Sequence, residues 1–275
     1  METITSLQNP RVKNLLLLQQ KSRERTKQNL VIVEGLRESH IALMAGYLLK
    51  EAYICLEISK PVSSLFPSDT TSFPLDTSLF PKEARIFEIS RPVFEKIAYR
   101  EGSDGFIALF EPRDLKLQNV KLKANPLVII LESVEKPGNL GAILRTADAA
   151  NADAVIICDP LTDIYNPNVI RSSIGCVFSR QVVGCSSEDA QQWLLQNNIT
   201  SYAAELRASS HYYKHDYKGS VAFVMGTEAD GLTDKWINFC NHRIIIPMLG
   251  SIDSLNVSVS TAILVSEAMR QRDWH

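Results

Sequence analysis

Long apolar runs are absent from this 275-residue chain. No stretch approaches the roughly 18–20 consecutive apolar residues that cross a bilayer, so a helical membrane protein is not expected. The first residues, with Glu2, Asn9, Pro10 and Arg11, lack the apolar centre of a signal peptide. Secretion is therefore not expected, and a cytoplasmic location is. Cysteine is sparse: Cys55, Cys158, Cys176, Cys185 and Cys240 are an odd number, scattered, without a C-x-x-C pair. That spacing argues against a disulfide framework or a zinc site and suits a reducing compartment. The glycine-rich signatures of nucleotide binding are missing as well. Gly138-Asn-Leu-Gly141 offers G-x-x-G where a dinucleotide fingerprint needs G-x-G-x-x-G, and no P-loop motif occurs. There is no internal repeat and no low-complexity tract.

What is present is the composition of an ordinary globular protein, 45% hydrophobic and 22% charged, with a formal net charge of -2. The charge is unevenly spread. Residues 1–30 hold Arg11, Lys13, Lys21, Arg23, Arg25 and Lys27 against Glu2 and Glu24. From Asn125 onward, 11 basic residues face 16 acidic ones. A basic arm on an acidic remainder can bind a polyanion locally without a high overall pI; a solvated helix face has the same appearance.

The length allows two domains. In the first half, Leu15 to Leu18 lie in a helical pattern that ends at the charged stretch Lys21–Lys27. Leu30–Val33 is strand-like, a helix follows from Glu34 to about Leu49, and a second strand spans Glu51 to Ile58. Ser59 to Pro81, rich in Pro, Ser and Thr, reads as an irregular loop. Phe106–Phe110 reads as the last strand and Pro112 to Pro126 as a linker. The second half alternates apolar runs (Leu127–Leu131, Ala154–Cys158, Val182–Val183, Ser201–Ala204, Val221–Met225, Ile244–Ile246) with helical patterns. The helices are placed near Asn139–Ala150, Asn168–Gly175, Glu188–Asn197 and Asn256–Arg272. Strands apolar on both faces and separated by helices predict an α/β fold with a mostly parallel sheet covered by helices on both faces.

Ligands of such sheets bind at the carboxyl ends of the strands, and three unusual segments fall there. In Glu135-Lys-Pro-Gly-Asn-Leu-Gly-Ala-Ile-Leu-Arg145, Gly138 permits a tight turn and Asn139 is a candidate N-cap. Arg145 then lies in the second turn of a helix whose neighbours are apolar, so its guanidinium is expected either to pair with Asp148 or Asp153 or to face an anion-receiving cavity. In Met225-Gly-Thr-Glu-Ala-Asp-Gly-Leu232, Gly226 and Gly231 let the backbone bend sharply beside a ligand, with Glu228 at the turn. In Ile246-Pro-Met-Leu-Gly-Ser-Ile-Asp-Ser-Leu-Asn-Val257, Ser251, Asp253, Ser254 and Asn256 crowd together, more polar groups than one helix cap requires.

The order and content of these segments resemble the SpoU-type (TrmH-like) RNA ribose methyltransferases of the SPOUT superfamily. The likeness runs from Asn125 to Arg272. It includes N-x-G-x-x-x-R (Asn139, Gly141, Arg145), G-x-E-x-x-G-L (Gly226, Glu228, Gly231, Leu232) and I-P-M…S-L-N-V-S (Ile246 to Ser258), with Arg171-Ser-Ser-Ile-Gly175 and Phe178 between them. The one small departure is Ser260, where the family often has alanine. The resemblance implies a deep trefoil knot, S-adenosylmethionine held by backbone around Gly226, Ile246 and Leu255, and a homodimer whose active site uses both subunits. It also implies that Arg145 acts at a ribose 2'-hydroxyl, positioned by Asn139, Glu228, Ser254 and Asn256. Residues 1–112, through Leu30-Val-Ile-Val-Glu-Gly-Leu-Arg37, are similar to the small α/β L30e-like substrate-binding domain of many members. On this reading residues 113–124 are a linker and 125–275 the catalytic domain. Members with such an extension more often modify rRNA.

RNA is thus the expected partner, with neither metal nor membrane. Candidate contacts are Arg11, Arg23, Arg25 and Lys27, with Arg113, Lys116, Lys121 and Lys123 behind them. His211-Tyr-Tyr-Lys-His215 is either a base-stacking patch or a solvated loop. Alternatives are a tRNA target, an antibiotic-resistance site on rRNA, or a non-catalytic RNA-binding module; intact Arg145, Glu228 and Asn256 argue against the last.

Overall fold

The computed structural model describes residues 1–59, 80–81, 83–99, 102–208, 210–227, 230–251 and 254–272. The Ser59–Pro81 loop therefore lies almost wholly outside the described residues. The chain forms two compact units, residues 1–113 with 165–171, and residues 114–164 with 172–275.

The first unit contains strands β1 (Glu2–Ile4), β2 (Val31–Glu34), β3 (Leu49–Ile54), β4 (Arg85–Ile89) and β5 (Phe106–Phe110), and helices α1 (Pro10–Gln20), α2 (Ser22–Gln28), α3 (Leu36–Met44) and α4 (Arg91–Ile97). Its sheet runs β1-β4-β3-β5-β2, with β1 and β3 parallel to β4, and with β2 and β3 antiparallel to β5. Asn9 caps α1 by accepting from the Arg11 amide at 2.8 Å, and Pro10 supplies a preset first turn. Val12, Leu15 and Leu18 form the buried stripe of α1 and join Ile32, Tyr53, Phe87 and Ile107 in the core. The helix expected to reach Leu49 stops at Met44. Gly46 adopts φ +77° there, and the chain turns so that Leu49 can pair with Phe110. The charged stretch after α1 is itself helical, and strands β1 and β4 and helix α4 were not read from the sequence.

Buried polar groups hold this unit. The Glu51 carboxylate accepts from Arg11 Nη1 at 2.8 Å, from Arg85 and from the Tyr53 hydroxyl. Arg25 is buried, and its Nη1 donates to the Leu18 carbonyl at 2.6 Å and the Gln19 carbonyl at 3.2 Å. It thereby satisfies carbonyls left open at the end of α1.

The second unit contains β6 (Leu127–Glu132), α5 (Pro137–Ala149), β7 (Ala154–Cys158), α6 (Pro167–Ser172), α7 (Cys176–Ser179), β8 (Val182–Cys185), α8 (Ser187–Gln196), β9 (Thr200–Ala204), β10 (Ser210–His211), β11 (Val221–Met225), α9 (Asp234–Phe239), β12 (His242–Ile245) and α10 (Val257–Gln271). Most of α6 belongs to the first unit by its contacts. The seven strands form one sheet, β10-β12-β9-β11-β6-β7-β8, with every neighbouring pair parallel. Val128, Ile130, Ile156, Ala222 and Val224 face α8 and α9 through Trp193, Leu194 and Trp236. The alternate residues Ile129, Val155, Ile157 and Phe223 are also buried, and α5 and α10 pack against β7 and β11. Both faces are covered, which is why these strands read as unbroken apolar runs. The stretch read as a linker packs too, since Leu117, Val120 and Leu122 lie against this core. Among the described residues no helix is long and apolar enough to cross a membrane.

Replacing Arg25 by alanine should destabilise the protein by about 2 kcal/mol, whereas Arg23→Ala on the exposed face should stay within about 0.5 kcal/mol. Urea unfolding of the two variants measures the difference, and equal midpoints would refute the bracing role of Arg25.

Candidate functional site

Strands β9, β11 and β12 are neighbours, and their last residues, Ala204, Met225 and Ile245, open into one cleft of about 530 Å³. Such a volume suits a ligand of cofactor size. Gly226, Ile246 and Leu255, the three positions the sequence offered for backbone contact with a cofactor, all line it, and so does Ser254. Its apolar wall includes Leu232, Ile237 and Ile244.

Gly226 is fixed by space. A Cβ there would overlap the backbone of Gly231 and Leu232. The loop closes on itself, the Thr227 amide donating to the Gly231 carbonyl at 3.0 Å and the Gly231 amide returning to the Thr227 carbonyl at 3.2 Å. Gly231 has φ +70°, a conformation that favours glycine. Glu228 lies outside the described residues, as does Asp253. The base of the loop is anchored by Glu132, which the sequence reading did not single out. Buried at the end of β6, its carboxylate accepts from the Thr233 amide at 2.9 Å and the Thr233 hydroxyl at 2.7 Å. Thr233 is the N-cap of α9, so one carboxylate ties β6 to the start of that helix. The available signal was an acid ending the otherwise apolar run Leu127–Glu132.

Asn256 is the N-cap of α10. Its Oδ1 accepts from the Ser258 amide at 2.9 Å and hydroxyl at 2.6 Å, while its Nδ2 donates to Asn139 Oδ1 at 3.2 Å. Two of the expected polar residues, 117 positions apart, are therefore joined. Asn139 is not an N-cap. Pro137 begins α5 because its fixed φ and missing N–H suit the first helical position, which puts the cap at Lys136, Gly138 within the first turn and Asn139 third in the helix. Gly141 sits against Ser172, whose side chain a Cβ would overlap.

Arg145 departs from the expectation of a paired or cavity-facing group. It is exposed on α5 and has no hydrogen-bond or ion-pair partner among the described residues. Asp148 is engaged by Arg180 at 3.0 Å, and Asp153 accepts from the Lys123 and Leu127 amides at 2.9 Å each. Six residues along a helix amount to a rise of roughly 9 Å and a rotation of roughly 240°, so Arg145 and Asn139 leave α5 on different sides. Arg145 does not line the cleft.

The basic residues separate into two groups. Arg11 is bound to Glu51 and lies 4.3 Å over the Phe87 ring, and Arg25 is buried, which corrects their expected availability to RNA. Arg23 and Lys27 are exposed. Arg113 donates to the Ala45 and Gly46 carbonyls, Lys116 pairs with Asp114, and Lys123 Nζ donates to the Asn151 carbonyl at 2.7 Å. Lys121 holds Gln181 through its backbone. His211–His215 forms a short strand and a 3-10 turn in which Tyr213 and Lys214 are exposed while His215 is half-buried. His215 bonds Ser210 at 2.7 Å and packs beside Tyr202 and Tyr217, and burial, with His242 alongside, holds its imidazole below the usual value.

An all-parallel α/β sheet with a cleft built by its strand-end loops is the arrangement in which proteins of this class hold small ligands. The chain belongs to the SpoU rRNA Methylase family, which residues 126–266 match; residues 9–108 match the MRM3-like substrate binding domain. It is 32% identical to the 23S rRNA (guanosine-2'-O-)-methyltransferase RlmB of Haemophilus ducreyi over 67% of this chain and 78% of that one. Identity to the 23S rRNA (guanosine(2553)-2'-O)-methyltransferase RlmP of Bacillus subtilis is 29% over 96% of this chain and 98% of that one. The fold superposes on the AdoMet-bound rRNA methyltransferase from Sinorhizobium meliloti with a TM-score of 0.85 at 28% identity, covering 98% and 97% of the two chains.

Gly226→Ala should disrupt the 227–231 loop and lower the thermal midpoint, whereas Gly138→Ala, whose Cβ would meet nothing within 4 Å, should be tolerated. Thermal melts with hydrogen exchange at the Thr227 and Gly231 amides provide the measurement. Equal behaviour of the two variants would refute the close approach.

Proposed function

We propose that this chain methylates a ribose 2'-hydroxyl in rRNA, using S-adenosylmethionine. The observation that carries this reading is the cleft at the ends of β9, β11 and β12, lined by Gly226, Ile246 and Leu255 and adjoined by the Asn139–Asn256 pair. The cleft fits the cofactor: its apolar wall suits an adenine, and the closely approaching backbone at Gly226 leaves no side chain in the way. When bound, S-adenosylmethionine supplies a sulfonium-activated methyl group. The chain's own contribution is then to align the 2'-oxygen with that methyl and to exclude water.

Arg145 is assigned to the ribose. A guanidinium with a pKa above about 12 is a poor base, so its role is to hold an RNA phosphate and stabilise charge developing on the 2'-oxygen, with a phosphate oxygen or water taking the proton. Asn139, Glu228, Ser254 and Asn256 position it. Because Arg145 is exposed and does not line the cleft of its own chain, we assign it to the cleft of a second copy in a homodimer. The full exposure of Leu249 and the 47% exposure of Val259 on α10 support such an interface. The strand order β12-β9-β11, out of chain order, and the packing of α10 on α5 support a trefoil knot. Residues 1–112 are assigned to an L30e-like substrate-binding domain, 113–124 to the connection and 125–275 to catalysis, in the cytoplasm.

Incubating the protein with tritiated S-adenosylmethionine and either rRNA or tRNA should place alkali-resistant label in rRNA; label in tRNA alone, or in neither, would overturn the reading. Arg145→Ala should lower the methylation rate by about 100-fold or more while calorimetric affinity for the cofactor stays near wild type. A lost affinity would refute its assignment to the ribose. The double variant Arg23→Ala, Lys27→Ala should weaken RNA binding and reduce the slope of log affinity against log salt by roughly one to two. An unchanged slope would remove those residues from the interface.

A further inference from the structure

The cleft carries a charge pattern that the family motifs do not explain. Among the described residues that line it, the acids are Glu205, Asp230 and Asp234, and the only cation is Arg207. Glu205 is already neutralised. Its Oε2 accepts from Arg243 Nε at 2.6 Å, its side chain is 10% exposed, and its amide donates to the Ile244 carbonyl at 3.0 Å. This ion pair fixes the end of β9 against β12. A turn follows at once, closed by the Ala208 amide on the Glu205 carbonyl at 3.3 Å, and it delivers Arg207 to the rim of the cleft. Arg207 is exposed, and no hydrogen bond or ion pair engages its guanidinium among the described residues. The strand it follows, β9, lies between β11, which leads to Gly226, and β12, which leads to Ile246.

S-adenosylmethionine has one anionic group, the α-carboxylate at the end opposite its adenine. The rest of the molecule is apolar, neutral or cationic. An apolar wall from Leu232, Ile237 and Ile244 can take the base. The carboxylate then needs a cation at the rim, because near Asp230 and Asp234 it would meet charge of its own sign. A planar guanidinium that receives both carboxylate oxygens is the strongest such partner an exposed site offers. We propose that Arg207 binds the α-carboxylate of S-adenosylmethionine and so fixes the orientation of the cofactor's amino-acid end. The assignment rests on the cofactor reading above and adds a residue outside the three motif segments.

Calorimetry on the intact protein tests it with two probes, S-adenosylmethionine and its decarboxylated analogue, against wild type, Arg207→Gln and Arg207→Lys. Wild type should bind the decarboxylated compound about 10-fold more weakly than the parent. Arg207→Gln should lose a similar factor on S-adenosylmethionine and nothing further on the analogue, and Arg207→Lys should recover part of the loss. The loss should shrink as salt rises, since the pair is exposed. Arg207 is exposed, so an unchanged thermal midpoint in both variants will show that folding is intact. If Arg207→Gln binds S-adenosylmethionine as wild type does, the assignment is overturned. That includes the case in which only rRNA affinity falls and the guanidinium serves a phosphate. If folded wild-type protein binds neither probe, the cofactor reading itself fails, and this assignment with it.

Discussion

The cleft depends on backbone meeting backbone at Gly226. The loop after β11 can fold back over the strand end only because no side chain separates Gly226 from Gly231 and Leu232. The paired amides and carbonyls of Thr227 and Gly231 close the loop beside the cleft. The far side of the same loop enters α9, where Glu132 satisfies both the amide and the hydroxyl of Thr233. A buried carboxylate without such donors would be strongly unfavourable. The same bonds that make Glu132 tolerable in the core therefore hold the ligand-facing loop in place.

The parallel sheet supplies the rest of the geometry. Because β9, β11, β12 and β6 all run in one direction, their carboxyl ends gather the chain's exits on one side. Segments near residues 205, 226, 246 and 255 thus meet although they lie far apart in the chain. The Asn139–Asn256 bond joins the start of α5 to the cap of α10 at the border of that region. Asn256 at the same time caps α10.

The first unit shows why a count of basic residues overstates an RNA-binding surface. Arg11 and Arg25 look no different from Arg23 in the sequence, yet one is held by Glu51 and the ring of Phe87 and the other is buried under the end of α1. Arginine stems pack well against apolar surface, and the guanidinium can satisfy several carbonyls at once. Arg23 and Lys27, on the outward side of α2, keep their charge exposed.

Much of this protein was legible in its residues because the determinants are local. The alternation of apolar runs and helical patterns located β6, β7, β9 and β11 closely, since strands buried on both faces leave no polar interruptions. Glycine, proline and asparagine marked the strand-end loops, and the crowded polar residues from Ser251 to Asn256 contained the cap of α10. The sequence did not reveal the short strands β1 and β10, which exist only through pairing with distant partners. It placed the start of α5 two residues late because Asn139 looked like a better cap than Lys136. It also put Arg145 among buried neighbours, whereas helical rotation turns it outward. Segment 165–171, embedded in the sequence of the second unit, packs with the first. The amino-acid order alone thus determined the long buried strands and most helices of the second unit, its sheet class and the strand-end loops. Which charges are buried, which carboxylates are already engaged and which side chains share a cleft were decided only by tertiary structure, because each depends on contacts between residues that chain order keeps far apart.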